Sequence, residues 1–218
     1  MAASELDSVV WEVVRRRRST RAFRPDPVPT EALVAALEVM RWAPSAFNAQ
    51  PWAVVLARRA EEREAYERLL AALQPGNARW AQAAPVLAAV VVYPWAPDNK
   101  PNRHAWFDVG GAWAWFTMAA VAHGLAVHAM AGFDPAAAAV AVELPKPWEP
   151  AVMAAIGYPG DPATLPEDLR ARELGPQRQR KALREFVFLG RWGVPLPDRM
   201  TGLTDATAPQ TPPATASP

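Results

Sequence analysis

Three clusters of residues have the types and spacing to do chemistry. The segment Arg17-Arg18-Ser19-Thr20-Arg21-Ala22-Phe23 sets hydroxyls among arginines just beyond a helical stretch. Guanidinium groups hold a phosphate through paired N–H donors, and a hydroxyl adds a neutral donor. The same segment also reads as an ordinary basic surface loop. The segment Pro44-Ser45-Ala46-Phe47-Asn48-Ala49-Gln50-Pro51-Trp52 is dense in amide and hydroxyl groups between two stiffening prolines. A planar heteroaromatic ring with carbonyls and ring nitrogens needs such a lining. A helix-to-strand connector with a core Trp is the plainer reading. Arg178-Gln179-Arg180-Lys181 brings positive charge from a distant part of the chain, or is a solvated basic turn.

Composition removes other chemistries. There is no cysteine, so disulfides, thiolate nucleophiles and Cys-ligated metal centres are excluded. His104, His123 and His128 stand in no metal-binding frame, and no metal is expected. A net charge of +1 supplies no global field for nucleic acid or an anionic membrane. The start, MAASELDSVVWEVV, lacks the basic-then-apolar pattern of a signal peptide, and a cytoplasmic protein is expected. The most apolar stretch, near Val109 to Met130, is interrupted by Trp113, Trp115, His123, Gly124 and His128, which argues against a membrane span.

The elements that must position these clusters follow from periodicity. A first helix is predicted over Glu5–Arg16, ending in the arginine run, where cations are favourable. A second, capped by Thr30, has Leu33, Leu37 and Met40 on one face and ends at Pro44. Glu61–Leu73 reads as an amphipathic helix closed by Pro75-Gly76. Strands are predicted at Ala53–Ala57, Pro85–Tyr93, Leu125–Ala131 and Val152–Ile156. Phe107–His123 is a helix apolar on nearly every side, which implies burial all round, in a core or a subunit interface. The order α-α-β-α-β-α-β-α-β implies an α+β or three-layer arrangement, and no Gly-x-Gly-x-x-Gly follows a strand. We expect one domain over 1–196 and a disordered Pro/Thr/Ala-rich tail over 197–218.

The string R-R-S-T-R-A-F, followed by R-W-A-P-S-A-F-N-A-Q-P-W, resembles the signature pair of the nitroreductase family. Gly124-Leu125, Gly132-Phe133-Asp134, Ile156-Gly157-Tyr158-Pro159 and the ending R-x-R-K-A-L-x-E-F-V extend the resemblance over about residues 9 to 193. The resemblance implies a three-layer α/β/α fold of the α+β class around a mostly antiparallel sheet, in a homodimer with FMN at the interface. It implies that Arg17, Arg18, Ser19 and Arg21 hold the FMN phosphate, completed by Arg178 and Arg180. Pro44, Ser45, Ala46 and Asn48 would reach the flavin from the other subunit. Met130, Ala131 and Gly132 would lie near the ring, and Asn77 at its pyrimidine edge. Two positions depart from some family members: Ala131 replaces an acid, and Trp80 replaces a lysine.

The implied activity is hydride transfer from NAD(P)H through FMN to a small acceptor such as a nitroaromatic or quinone. The chemistry then sits on the cofactor, no catalytic side chain is required, and the histidines are structural. Dehalogenation and dehydrogenation, also found in the family, remain alternatives. So do a flavin-binding protein without turnover and a basic-loop interaction module with no cofactor.

Overall fold

The computed structural model describes residues 9–96, 98, 100–175 and 178–197. They form two compact units, Arg17–Leu174 and a terminal unit made of the described residues before Arg17 and after Leu174.

The larger unit is built on four strands, β1 (Trp52–Arg58), β2 (Val86–Val92), β3 (Ala126–Met130) and β4 (Glu149–Gly157). Their order in the sheet is β1-β2-β4-β3, and every neighbouring pair is antiparallel. Strand β4 begins earlier than predicted and runs through Pro150. A register shift between Val90 and Val91 accommodates it, because a proline has no N–H to give the ladder.

Side chains alternate across the sheet, so each strand feeds two cores. Leu87 and Ala89 of β2, with Ala126, Met130, Met153 and Ala155, face one layer. It is made of α3 (Arg63–Ala72), α4 (Pro75–Ala81), α6 (Pro135–Ala141) and α7 (Glu167–Glu173). Val86, Ala88, Val90 and Val92, with Val127, Ala154 and Ile156, face the other layer, of α2 (Thr30–Arg41) and α5 (Ala105–Ala122). This is the expected α+β three-layer fold.

One expectation needs correction. Pro75-Gly76 does not close a helix; Pro75 opens α4 at its first turn, where a missing N–H costs nothing. Helix α5 is buried by the chain itself along one side. Val109, Ala112, Trp113, Phe116 and Ala120 are buried, whereas Trp106, Phe107, Gly110, Gly111, Ala114 and Trp115 form an exposed stripe along its other side. Among the described residues no helix is long and apolar enough to cross a membrane.

The terminal unit contains α1 (Val9–Arg16) and a turn at Leu183–Glu185. A tight loop pairs Phe188 with Pro195 and packs the Phe188 ring 4.7 Å from Trp192. Residues 5–8 of the expected first helix and 198–218 of the expected tail lie outside the described residues.

Candidate flavin site

The arginine segment is pinned to the sheet from two sides. Arg24 N–H donates to the Tyr158 carbonyl at 3.0 Å and Gly160 N–H to the Ala22 carbonyl at 2.9 Å. The Ile156-Gly157-Tyr158-Pro159 motif thereby acts as a backbone clamp. Gly157 within it and Gly160 just after it are steric requirements: a Cβ at Gly157 would sit 2.5 Å from Pro85 Cδ, and one at Gly160 would sit 2.6 Å from the Phe23 backbone carbon.

On the other side, His128 of β3 bonds through Nδ1 to the Thr20 carbonyl at 2.9 Å. A carbonyl only accepts, so Nδ1 carries the proton. The imidazole stacks on Trp80 at 4.4 Å, and burial pushes its pKa below the ordinary value. His128 is thus a structural strut. Trp80 is 2% exposed, a core ring and not part of an open surface.

Two residues beyond the end of β3, the Gly132 carbonyl accepts from Gln74 N–H and from Asn77 Nδ2, each at 3.0 Å. A Cβ on Gly132 would approach Asn77 Nδ2 to 2.7 Å and Gln74 Oε1 to 3.0 Å. Only a bare backbone lets these amides close on it. Asn77 keeps its Oδ1 as an acceptor. Asp134 is spent on structure, capping α6 by accepting from Ala136 and Ala137 N–H at 2.9 and 3.1 Å.

These links join Arg17, Arg18, Ser19, Arg21, Asn77, Met130, Ala131 and Gly132 into one connected set. Met130 is buried at 2% exposure, whereas Arg18, Ser19 and Ala131 are exposed. Arg17 Nη1 donates to Ser19 Oγ at 3.3 Å.

Pro44, Ser45, Ala46 and Asn48 form a separate set. Their loop is a strained turn with positive φ at Phe47 (53°), Asn48 (54°) and Gln50 (47°). Asp108, a carboxylate only 5% exposed on α5, accepts the Ala46 N–H at 3.1 Å. Ser45 Oγ accepts the Gln50 N–H at 3.0 Å. Phe47 is held outward at 97% exposure. The loop feeds β1, while Gly132 leaves β3, and these strands are the two edges of the sheet. Both segments emerge at the same end of it, three inter-strand spacings apart, or about 14 Å.

Arg178 and Arg180 belong to the terminal unit. There Arg178 Nη2 donates to the Val14 carbonyl at 3.2 Å, and Arg180 Nη1 to the Gln179 carbonyl at 2.7 Å. A cleft of about 200 Å³ lined by Pro25, Pro27, Arg58, Arg59, Arg63 and Pro85 contains none of the motif residues.

Sequence reading missed two anchors. Asp108 left a signal, a single acid inside an apolar helix. Glu173, which holds Arg18 and Arg21, left none, because it ends a run already rich in charge.

The larger unit is thus a three-layer α+β fold with a glycine-and-amide corner beside an arginine segment, and comparison identifies the family to which it belongs. Residues 14–158 match the nitroreductase family profile, and the chain belongs to that family. An uncharacterised 15.4 kDa protein of Mycolicibacterium smegmatis is 40% identical over 136 residues, 61% of this chain and 88% of that protein. A Streptomyces coelicolor protein provisionally named an NADH dehydrogenase/NAD(P)H nitroreductase is 33% identical over 165 residues, 66% of this chain and 80% of that one. A crystal structure described as an oxidoreductase containing FMN superposes with a TM-score of 0.76 at 32% identity, covering 84% of this chain and 92% of that one. A nitroreductase family protein of Clostridium difficile shares the fold, with a TM-score of 0.65 at 24% identity over 84% of this chain and 99% of that one.

Proposed function

We propose that the chain is an FMN-dependent oxidoreductase that passes reducing equivalents from NAD(P)H to a small oxidant such as a nitroaromatic or quinone, working as a homodimer. The observation that carries this reading is the single connected set running from the arginine segment through His128 to the Gly132–Asn77 corner. From His128 to Gly132 the extended chain spans roughly 13 Å, a distance suited to a mononucleotide laid along it. FMN, when bound, supplies the hydride acceptance and donation.

The residues present fit that group. Arg17, Arg18, Arg21 and Ser19 offer charged and neutral donors to a phosphate at the surface. Gly132, bare of a Cβ, lets the Asn77 and Gln74 side chains close on its backbone and fixes the amide at the corner. Asn77 Nδ2 donates to the Gly132 carbonyl, and its Oδ1 would be the acceptor for an imide N–H. Pro44, Ser45, Ala46 and Asn48 sit at the far edge of the sheet from Gly132, so a partner subunit is the natural source of their contact with the same ring. Ala131 and Trp80 put no charge at two positions where some family members carry one, which favours neutral, planar acceptors over charged ones. The parallel with the FMN-containing oxidoreductase at 32% identity supports the cofactor, and the name of the Streptomyces relative supports the nicotinamide donor. Arg178 and Arg180 are proposed to complete the phosphate grip.

The test is an absorbance spectrum of purified protein, then anaerobic titration with NADH and with NADPH. Release of FMN on denaturation and bleaching of the flavin band by a nicotinamide is the expected result. A flavin that neither nucleotide reduces would favour a binding protein without turnover. No flavin after reconstitution would overturn the reading.

A further inference from the structure

Apart from aromatic rings, the buried polar or charged side chains among the described residues are Thr20, Asp108 and Glu173. All three stand behind the two segments assigned to the flavin. Glu173 is the least expected of them. It is 6% exposed and is the last residue of α7, the end of a helix that disfavours an acid. A buried carboxylate there is costly unless paired. Among the described residues its hydrogen bonds and ion pair go to the arginine segment, from the carboxylate and from the backbone carbonyl. Oε2 accepts the Arg21 backbone N–H at 3.1 Å and lies 3.8 Å from Arg21 Nη1. The Glu173 carbonyl accepts Arg18 Nη2 at 2.8 Å.

We propose that Glu173 is the positioning and charge-tuning residue of the phosphate grip. This rests on the reading of Arg17–Arg21 as that grip. Its carboxylate holds the Arg21 backbone and its backbone carbonyl holds one edge of Arg18, so Glu173 fixes the segment while Arg18 and Arg21 keep guanidinium donors for a phosphate monoester. Its negative charge beside Arg21 also opposes the incoming dianion. The site thereby gives up affinity in exchange for a fixed geometry. The carboxylate makes no contact with the reacting part of a flavin and acts only through the arginines.

Two changes separate geometry from charge. Glu173→Gln keeps the shape and an acceptor oxygen but removes the charge. Glu173→Asp keeps the charge but withdraws it by one methylene from the Arg21 N–H. The probes are FMN and riboflavin, which lacks the phosphate, titrated by flavin fluorescence into full-length apoprotein at two salt concentrations.

Glu173→Gln should bind FMN about threefold to tenfold more tightly, with a steeper salt dependence and unchanged riboflavin affinity. Glu173→Asp should bind FMN about threefold to tenfold more weakly, again with riboflavin unchanged. A residue that merely fills space would shift FMN and riboflavin together, and that result, or weaker FMN binding by Glu173→Gln, overturns the proposal. Wild-type protein that fails to distinguish FMN from riboflavin would overturn the phosphate reading itself, and this inference with it. Discrimination by the wild type that Glu173→Gln leaves unaltered would sink the inference alone.

Discussion

Within the arginine segment, individual side chains should differ in worth by their chemistry. Ser19 presents one neutral hydroxyl, and neighbouring donors or water can partly replace it; Ser19→Ala should weaken FMN binding roughly tenfold or less. Arg21 presents charge and a donor fork that water cannot reproduce, so Arg21→Ala should cost on the order of tenfold to a hundredfold. Arg180→Ala should match it if the terminal unit contributes to the grip. Arg63→Ala is the control, since Arg63 is exposed and pairs with Glu67; a loss there equal to that of Arg21→Ala would mean general charge and no specific site. Gly132→Ala separates binding from folding. The atoms nearest the added methyl are the side-chain ends of Asn77 and Gln74, not backbone, so unfolding free energy in urea should stay within about 1 kcal/mol. The displaced amide leaves the corner, and FMN affinity measured by fluorescence should fall by about tenfold or more. Residue type alone left the arginine and amide clusters open between a ligand grip and an ordinary loop, and only the family resemblance proposed a site, Asn77 included. Their supports were not legible, because a backbone carbonyl such as that of Thr20 or Glu173 has no sequence signature.

Elements were legible where hydrophobic period and turn residues agreed. All four strands overlap their predicted ranges, β4 starting three residues early, and α5 follows its apolar run closely. Pro75-Gly76 misled because a helix-closing dipeptide and a helix-opening proline look alike without tertiary context, and Gln74 N–H, bonded to the Gly132 carbonyl, is what ends one element and begins the next. The clamp between Ile156–Gly160 and Phe23 is a second such case, since only the fold shows why its glycines must be bare. Gly157→Ala drives a methyl into the Pro85 ring and the Phe23 ring. Overpacking of this kind should cost about 1–3 kcal/mol in urea denaturation, and an unchanged midpoint would mean the clamp is slack. The His128 strut makes a pH prediction at the same scale. Its folded pKa lies below the ordinary value of 6.5, so the unfolded chain takes up a proton first as pH falls. The strut's stabilisation is present above about pH 6.5 and drains away below it, down to the depressed folded value. Stability measured by urea unfolding at pH 5 and 7.5 should therefore drop on the acid side, and His128→Gln should flatten that drop; an equal slope in the variant would remove His128 from the account.

At the scale of the whole molecule, the question is what covers the open side of α5. Trp106, Phe107, Gly110, Gly111, Ala114 and Trp115 fall on one arc of the helix, and Phe107 is 82% exposed. Isolated exposed apolar residues need no explanation, but a continuous stripe with two glycines at its centre does. Nothing lies within 4 Å of a Cβ at Gly110 or Gly111, so a second backbone could approach there closely. The same helix carries Asp108, which fixes the loop holding Pro44–Asn48. A dimer built across α5 would therefore couple its interface directly to the loop proposed to reach the partner's flavin. We expect a solution mass of twice 23.7 kDa by light scattering. Phe107→Glu tests the coupling, because the side chain is largely solvent-exposed within the chain and its replacement leaves the core intact. The variant should be a folded monomer near 23.7 kDa, with far-ultraviolet circular dichroism unchanged, and it should lose FMN affinity by at least tenfold, since the loop of Pro44–Asn48 no longer meets the Gly132 corner of a second chain. A Phe107→Glu variant that remains dimeric would move the interface elsewhere. A monomer that binds FMN as tightly as the wild type would show that one chain suffices, and the two-subunit site would have to be abandoned.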